Sequence, residues 1–90
     1  MKLAFFEVEE WQKKYLRERL KGHDIKFFDY DLNLKNVSKV KDVEGLGVFI
    51  YSQVDEKVLE KLPKLKLIVT MSTGYDHIKI DSCKTRGIKV

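Results

Sequence analysis

Cysteine and long apolar runs are scarce in this sequence of 90 residues. Cys83 is the single cysteine, which excludes an internal disulfide and a cysteine-rich metal site and gives no reason to expect an oxidising compartment. No apolar run approaches the roughly 20 residues that cross a bilayer, and the apolar start at Met1 is too short for a signal-peptide core. We therefore expect a cytoplasmic protein with no metal site and no membrane partner.

A strong excess of one charge sign is also missing. Lys and Arg number 18 against 14 Asp and Glu, and the two signs alternate along the chain, as in the stretch 9–14. No Arg-rich stripe appears, so nucleic acid is not an expected partner. Hydrophobic residues at 43% predict a folded domain, and the abundance of Lys and Glu beside few Asn and Gln is typical of proteins from hot environments.

Short apolar runs alternate with helical patterns along the whole chain. The runs predict five strands, because parallel strands buried on both faces read as continuous apolar segments. Apolar residues at helical spacing predict four helices between them, the second weakened by its β-branched residues. The strands are 2–6, 25–28, 46–51, 65–70 and 88–90. The first helix is predicted from Val8, Trp11, Tyr15 and Leu16 and is closed by Gly22, and the second is predicted from Leu34, Val37, Val40 and Val43. The third is predicted from Val58, Leu59 and Leu62, between the N-cap Asp55 and Pro63, and the fourth covers 80–86 and is ended by Gly87.

This alternation predicts an α/β domain with a three-layer, flavodoxin-like parallel sheet of strand order 2-1-3-4-5. Such a sheet ordinarily carries a fifth helix after its last strand, beside the first helix. The sequence stops at Val90 without one, so we expect residues 1–90 to be a single truncated domain that lacks its final covering helix. An apolar sheet face left without that helix is expected to be hidden in a homodimer, with or without exchanged elements.

The turn after the fourth strand is the candidate binding site. Ser72, Thr73, Gly74 and Tyr75 follow a buried strand at its carboxyl end, where open α/β sheets bind ligands. Consecutive backbone N–H groups in such a turn can hold a carboxylate or a phosphate. Gly74 has no Cβ, so the backbone there can approach an anion closely.

A series of segments extends this pattern along the chain: Val48-Phe49-Ile50-Tyr51, then 55–63, then Leu65-Lys66-Leu67-Ile68, then 72–78, then 83–88. In order and spacing the series resembles the NAD-dependent D-isomer-specific 2-hydroxyacid dehydrogenases, the D-lactate dehydrogenase branch in particular. The resemblance covers all 90 positions. It implies that these residues are the first part of the substrate-binding lobe, which a helix from the far C-terminus completes.

The resemblance also implies how the oxidoreductase work is divided. The NAD-binding Rossmann domain and the catalytic Arg, Glu and His lie elsewhere, so these residues are expected to bind no cofactor, to supply no catalytic residue and to be inactive alone. Backbone amides of Ser72, Thr73, Gly74 and Tyr75 would hold the carboxylate of a small 2-hydroxy or 2-keto acid. Tyr51 would lie against that substrate, although simple packing of an aromatic ring at a strand end explains it equally well.

Other functions of the same fold fit the residues less well. A phosphorelay receiver needs an Asp at the end of the third strand, where this chain has Tyr51, and a flavodoxin cradles phosphate after the first strand, where this chain has acidic residues at 7, 9 and 10. For Phe6, Glu7 and Val8 a structural role is favoured over pocket lining. The remaining alternative is a non-enzymatic flavodoxin-like module that self-associates through its uncovered sheet face.

Overall fold

The computed structural model describes residues 1–49, 51–70, 78 and 80–90. Within them the chain forms four β-strands, three α-helices and one 3-10 helix. In chain order these elements are β1 (Lys2–Phe5), α1 (Glu10–Arg19), β2 (Asp24–Phe27), the 3-10 helix (Val37–Val40), β3 (Gly45–Val48), α2 (Glu56–Glu60), β4 (Leu67–Thr70) and α3 (Ile80–Thr85).

The strands form a parallel sheet in the order β2-β1-β3-β4, which confirms the predicted α/β class and the predicted order of the first four strands. The expected fifth strand is, within the described residues, a single parallel bridge between Leu67 and Lys89. The Ile68 amide donates to the Lys89 carbonyl at 2.7 Å, and the Lys89 amide donates to the Lys66 carbonyl at 3.0 Å. The last residues therefore lie beside β4, where the fifth strand was expected.

The third strand is shorter than its apolar run predicts. The ladder with β4 ends at Val48, although the sequence favoured a strand to Tyr51. The amides of Phe49 and Tyr51 donate to the Glu7 carboxylate, each at 2.9 Å, instead of continuing the ladder. A side chain at the end of β1 thus sets where β3 stops.

The predicted second helix is wrong in extent, because only a 3-10 helix forms at Val37–Val40. Upstream of it, the Asn33 side chain accepts from the amides of Lys35 and Asn36, and the Asn36 side chain accepts from the amide of Asn33. Such local bonds offer the backbone an alternative to helical bonding. Three of the four predicted apolar positions are still buried, namely Val37, Val40 and Val43, whereas Leu34 is exposed.

The caps and stops of α2 and α3 follow the sequence signals. Asp55 caps α2, and its carboxylate accepts from the Val58 amide at 3.0 Å. After α3 the chain turns at Gly87, whose φ of 73° is the left-handed conformation that glycine adopts without strain. Hydrogen bonds from Ser82 and from the Arg86 guanidinium join the two helices through Glu56 and hold the pKa of that carboxyl below its ordinary value.

Each face of the sheet has its own apolar cluster, because successive strand residues point to opposite faces. The larger cluster joins Ala4, Phe6, Leu46, Val48 and Ile68 to buried residues of α2, α3 and the 3-10 helix. The smaller cluster, on the other face, joins Leu3, Phe5 and Val8 to half-buried residues of α1, its C-cap and β2, namely Leu16, Leu20, Ile25 and Phe27.

Helix α1 contributes less to the core than its sequence pattern suggests. Trp11 and Tyr15 are 66% and 51% exposed, and the helix packs on the sheet through Leu16 and Leu20 instead. The two rings find polar neighbours, since the indole N–H donates to Glu9 at 2.6 Å and the Arg19 guanidinium lies 4.8 Å from the Tyr15 ring centroid. Their helical spacing was therefore a misleading signal of burial.

On the face that carries α1, the apolar cover ends before β4. Phe5 lies over Gly47, where a Cβ would stand only 2.2 Å from the ring, so side chains of β1 cover β3. Beyond Gly47, its register partner Val69 is 45% exposed, and Leu67 is 37% exposed. The predicted uncovered surface is thus confined, among the described residues, to β4 and its neighbours.

Candidate functional site

All four strands run in one direction, so their carboxyl ends meet at one edge of the sheet, called here the carboxyl edge. It contains residues 6–8 after β1, 28–31 after β2 and 49–52 after β3. The segment after Thr70, at the end of β4, starts from the same edge. In parallel α/β sheets this edge is where ligands bind.

The side chain of Glu7 connects the segments that follow β1 and β3 at this edge. Among the described residues its carboxylate accepts from the backbone amides of Phe49, Tyr51 and Ser52 at 2.9, 2.9 and 3.0 Å, and from the Ser52 hydroxyl at 2.7 Å. Its own amide donates to the Tyr30 carbonyl at 3.0 Å. The backbone at Glu7 adopts φ 62°, a left-handed conformation that is uncommon for a residue with a Cβ.

Ser52 continues this network into the protein interior. The side chain is fully buried; its hydroxyl donates to Glu7 and accepts from the Leu32 amide at 2.9 Å. The next amide, of Gln53, donates to the Leu32 carbonyl at 3.0 Å. The residues after β1, β2 and β3 are therefore joined through two side chains.

Tyr51 is the one predicted site residue that the structure describes. It lies at the carboxyl edge, 72% exposed, so the packing explanation for this aromatic residue does not apply within the described residues. Its ring borders an open cleft of about 610 Å³. The other predicted site residues, Ser72, Thr73, Gly74 and Tyr75, lie outside the described residues.

The residues on either side of that undescribed segment are fixed by strand pairing. Thr70 pairs with Val48 at the end of β3, and Ile78 forms a parallel bridge with Val54. Tyr51 comes between Val48 and Val54 in the sequence. The chain therefore leaves and re-enters the described structure beside the residues that flank Tyr51.

The cleft beside Tyr51 is acidic. Five acidic residues line it together with Val8, Tyr30, Phe49 and Tyr51, namely Glu7, Glu9, Glu10, Asp29 and Asp31. Such a lining repels an anion, so this cleft is a poor place for the acid group of a substrate. Among the residues described, no cluster of His, Cys, Asp and Glu could hold a metal ion, and no helix is long and apolar enough to cross a membrane.

Phe6 has only the structural role that the sequence favoured, whereas Glu7 and Val8 also border the cleft, and the part played by Glu7 was missed. Phe6 is fully buried and stacks on Phe28 with ring centroids 4.6 Å apart, and Val8 belongs to the smaller apolar cluster. Nothing in the sequence separates Glu7 from Glu9 and Glu10, since its distinguishing features are a positive φ and partners more than forty residues away.

A parallel α/β sheet with the strand order 2-1-3-4 is typical of the flavodoxin-like class of folds. Comparison with known families is more specific. The family described as D-isomer specific 2-hydroxyacid dehydrogenase, catalytic domain, matches residues 3–90. The chain belongs to this family, as its sequence segments indicated.

Individual relatives agree with the family match. The D-lactate dehydrogenase of Escherichia coli K12 is 31% identical over 94 residues, covering 100% of this chain and 29% of that protein. The glyoxylate reductase of Pyrococcus furiosus is 31% identical over 87 residues, covering 94% of this chain and 21% of that protein. The chain thus spans less than a third of the curated relatives it matches.

Solved structures share the fold over nearly the whole chain. The apo D-lactate dehydrogenase of Escherichia coli has a TM-score of 0.86 at 28% identity, covering 100% of this chain and 31% of that one. The Aquifex aeolicus D-lactate dehydrogenase, solved with NAD and lactic acid, has a TM-score of 0.87 at 34% identity, covering 98% of this chain and 27% of that one.

Proposed function

We propose that these residues form the substrate-binding lobe of an NAD-dependent D-2-hydroxyacid dehydrogenase acting on D-lactate or a similar small acid. The backbone amides of Ser72, Thr73, Gly74 and Tyr75 hold the substrate carboxylate, and Tyr51 lies against the rest of the molecule. The observation that carries the proposal is the pairing of Thr70 with Val48 and of Ile78 with Val54, which brings both flanks of the binding segment to the residues around Tyr51.

Residues 1–90 do not fit the NAD dinucleotide. The sequence has no Gly-x-Gly-x-x-Gly loop, and the cleft at the carboxyl edge is lined by carboxylates that oppose a pyrophosphate. We therefore assign NAD binding and hydride transfer to the parent family's other domain. The part of this chain is to bind and orient the acid, which lowers the entropic cost of the reaction without taking part in bond making.

The test of carboxylate binding is a titration of the isotope-labelled chain with pyruvate, followed through its backbone amide resonances. We expect saturable shifts at Thr73 and Gly74, and their loss in Gly74→Val, where a branched side chain blocks the approach. Lys64→Val, at an exposed position before β4, is the control that keeps them. The proposal would be refuted if the backbone amide resonances of residues 72–75 did not respond to pyruvate, or if Gly74→Val bound pyruvate as well as wild type does.

Turnover is tested separately with the purified 90-residue chain. We expect no oxidation of NADH with pyruvate above a blank without protein, because the chain supplies no cofactor loop. A rate above that blank contradicts the assigned division of labour.

The second candidate, a non-enzymatic module that self-associates, is favoured by the exposed apolar side chains of β4. Leu67 and Val69 present this surface, and a homodimer, with or without exchanged elements, would remove it from water. Light scattering at high micromolar concentration is expected to give twice the monomer mass, and the variant Leu67→Lys with Val69→Lys is expected to give the monomer mass. A stable wild-type monomer under these conditions rules the dimer out.

Cytoplasmic localisation and a hot habitat are further parts of the proposal. They are supported by the single cysteine and by the Lys- and Glu-rich composition. Fractionation of the source cells and the melting temperature of the protein test them.

A further inference from the structure

The donors around the Glu7 side chain are arranged as around a bound carboxylate ligand. One oxygen, Oε1, accepts from the Tyr51 amide, and the other, Oε2, accepts from the amides of Phe49 and Ser52 and from the Ser52 hydroxyl. Backbone N–H groups that converge in this way form an anion-binding concavity. Here the chain fills that concavity with its own side chain.

The backbone of Glu7 supports the same view. A non-glycine residue at φ 62° is strained and persists only when its surroundings over-determine it. The contacts that hold it are those of the carboxylate and the bond from its amide to the Tyr30 carbonyl. The strained conformation is thus maintained by the network at the carboxyl edge.

Tyr51 depends on this network for its place. Its side chain is largely exposed, whereas its amide is bound to Glu7 Oε1 and the amide and hydroxyl of the next residue are bound to Oε2. Among the described residues little packing therefore restrains the ring, and the backbone that carries it is restrained by the carboxylate of Glu7, which follows β1. Removing that carboxylate frees the backbone at Tyr51.

We infer that Glu7 is a positioning residue: its carboxylate, bound as an internal ligand by the amides of Phe49, Tyr51 and Ser52, fixes Tyr51 at the carboxyl edge. Only the use made of Tyr51, contact with a small acid substrate, rests on the proposed function. Glu7 acts through Tyr51, because its carboxylate oxygens are taken up by these donors. With Glu7 truncated, the vacated concavity accepts a small free carboxylate.

The experiment compares the wild-type chain with Glu7→Gly, which removes the carboxylate and also suits the left-handed backbone, so that loss of the anion is separated from strain. The probe is formate, followed through the amide resonances of Phe49, Tyr51 and Ser52 and the ring resonances of Tyr51. In the variant we expect displaced ring signals that return toward their wild-type positions as formate saturates the three amides. Wild type is expected to give no response at those amides, and sodium chloride at equal ionic strength none in either protein.

Two further variants complete the design. Glu10→Gln removes one charge from the same acidic cleft and leaves the network intact, so it is expected to show no formate response. Glu7→Gln keeps one acceptor oxygen, and we expect a partial displacement of Tyr51; this variant also decides the matter if Glu7→Gly does not fold. Unchanged Tyr51 ring signals in Glu7→Gln, or a formate response equal in Glu10→Gln and Glu7→Gly, overturns the inference.

A pyruvate titration of the same samples keeps this inference separate from the proposed function. If Tyr51 contacts the substrate, its displacement in Glu7→Gly weakens pyruvate binding about threefold to tenfold, the worth of one hydrogen bond, and formate restores it. Formate rescue of the Tyr51 ring without pyruvate binding in wild type supports the positioning role and refutes the proposed function. If wild type binds pyruvate, but formate restores neither pyruvate binding nor the Tyr51 ring signals in Glu7→Gly, the positioning role is refuted and the proposed function is not.

Discussion

Replacing Ser52 by alanine tests how firmly the carboxyl edge is built. The hydroxyl of Ser52 is fully buried and has two partners, the Glu7 carboxylate at 2.7 Å and the Leu32 amide at 2.9 Å. Alanine leaves the Leu32 N–H buried without an acceptor, which costs about 1–3 kcal/mol, and takes one donor from the carboxylate, worth about 1 kcal/mol. We expect the free energy of unfolding to fall by about 2–4 kcal/mol.

Thermal and urea denaturation measure this loss. For a domain of this size each kcal/mol lowers the melting temperature by about 4–8 °C, so the Ser52→Ala variant is expected to melt roughly 10–30 °C below wild type. Gln53→Ala is the matched control, because this exposed neighbour bonds Leu32 through its backbone, and its loss is expected to stay below about 0.5 kcal/mol. Equal stability of the two variants would show that the buried network contributes nothing.

Three further predictions concern other parts of the fold. Gly47→Ala drives a Cβ into the ring of Phe5, so we expect urea denaturation to show a loss of about 1–2 kcal/mol in the free energy of unfolding, which is the overpacking cost less the gain in chain entropy. The added change Phe5→Leu is expected to recover much of this loss. Losses of the two variants that simply add would contradict the prediction. The pKa of Glu56 is lowered, chiefly by the hydrogen bond from Ser82, so Glu56 stabilises the fold above pH 4.5, and this stabilisation is lost as the pH falls through the lower pKa of the folded state. We expect the stability of Glu56→Gln to decline less steeply toward acid pH than that of wild type. The same pH profile for both proteins would contradict this prediction. Burial raises the pKa of the Cys83 thiol and shields its sulfur from solvent. We therefore expect a thiol reagent at neutral pH to label Cys83 only at the rate at which the protein unfolds. Labelling of the folded protein as fast as that of the urea-unfolded protein would contradict this prediction.

The sequence predicts the layout of this fold well where the signal is local. Apolar runs marked the four strands, and Asp55 and Gly87 marked a helix start and a helix end that the structure confirms. The second helix failed because the side chains of Asn33 and Asn36 bind nearby backbone amides, a competition that helical periodicity does not register.

The candidate site divides in the same way. The sequence predicted Tyr51 as the last residue of the third strand; the strand stops earlier, at Val48, but Tyr51 still lies at the carboxyl edge. The role of Glu7 was not visible, because it depends on a single backbone dihedral and on donors that come more than forty residues later. Local patterns carry no information on contacts of that range.

The central place of β1 has a consequence for how the chain is made. Leu3 and Phe5 pair on one side with β2 and on the other with β3, and both of those strands leave the ribosome after β1. During synthesis β1 can therefore pair with β2 once residue 27 has emerged, but its other edge has no partner until β3 has followed. An unpaired strand edge in a partly formed sheet is prone to aggregation, so that interval favours rapid pairing of β1 with β3.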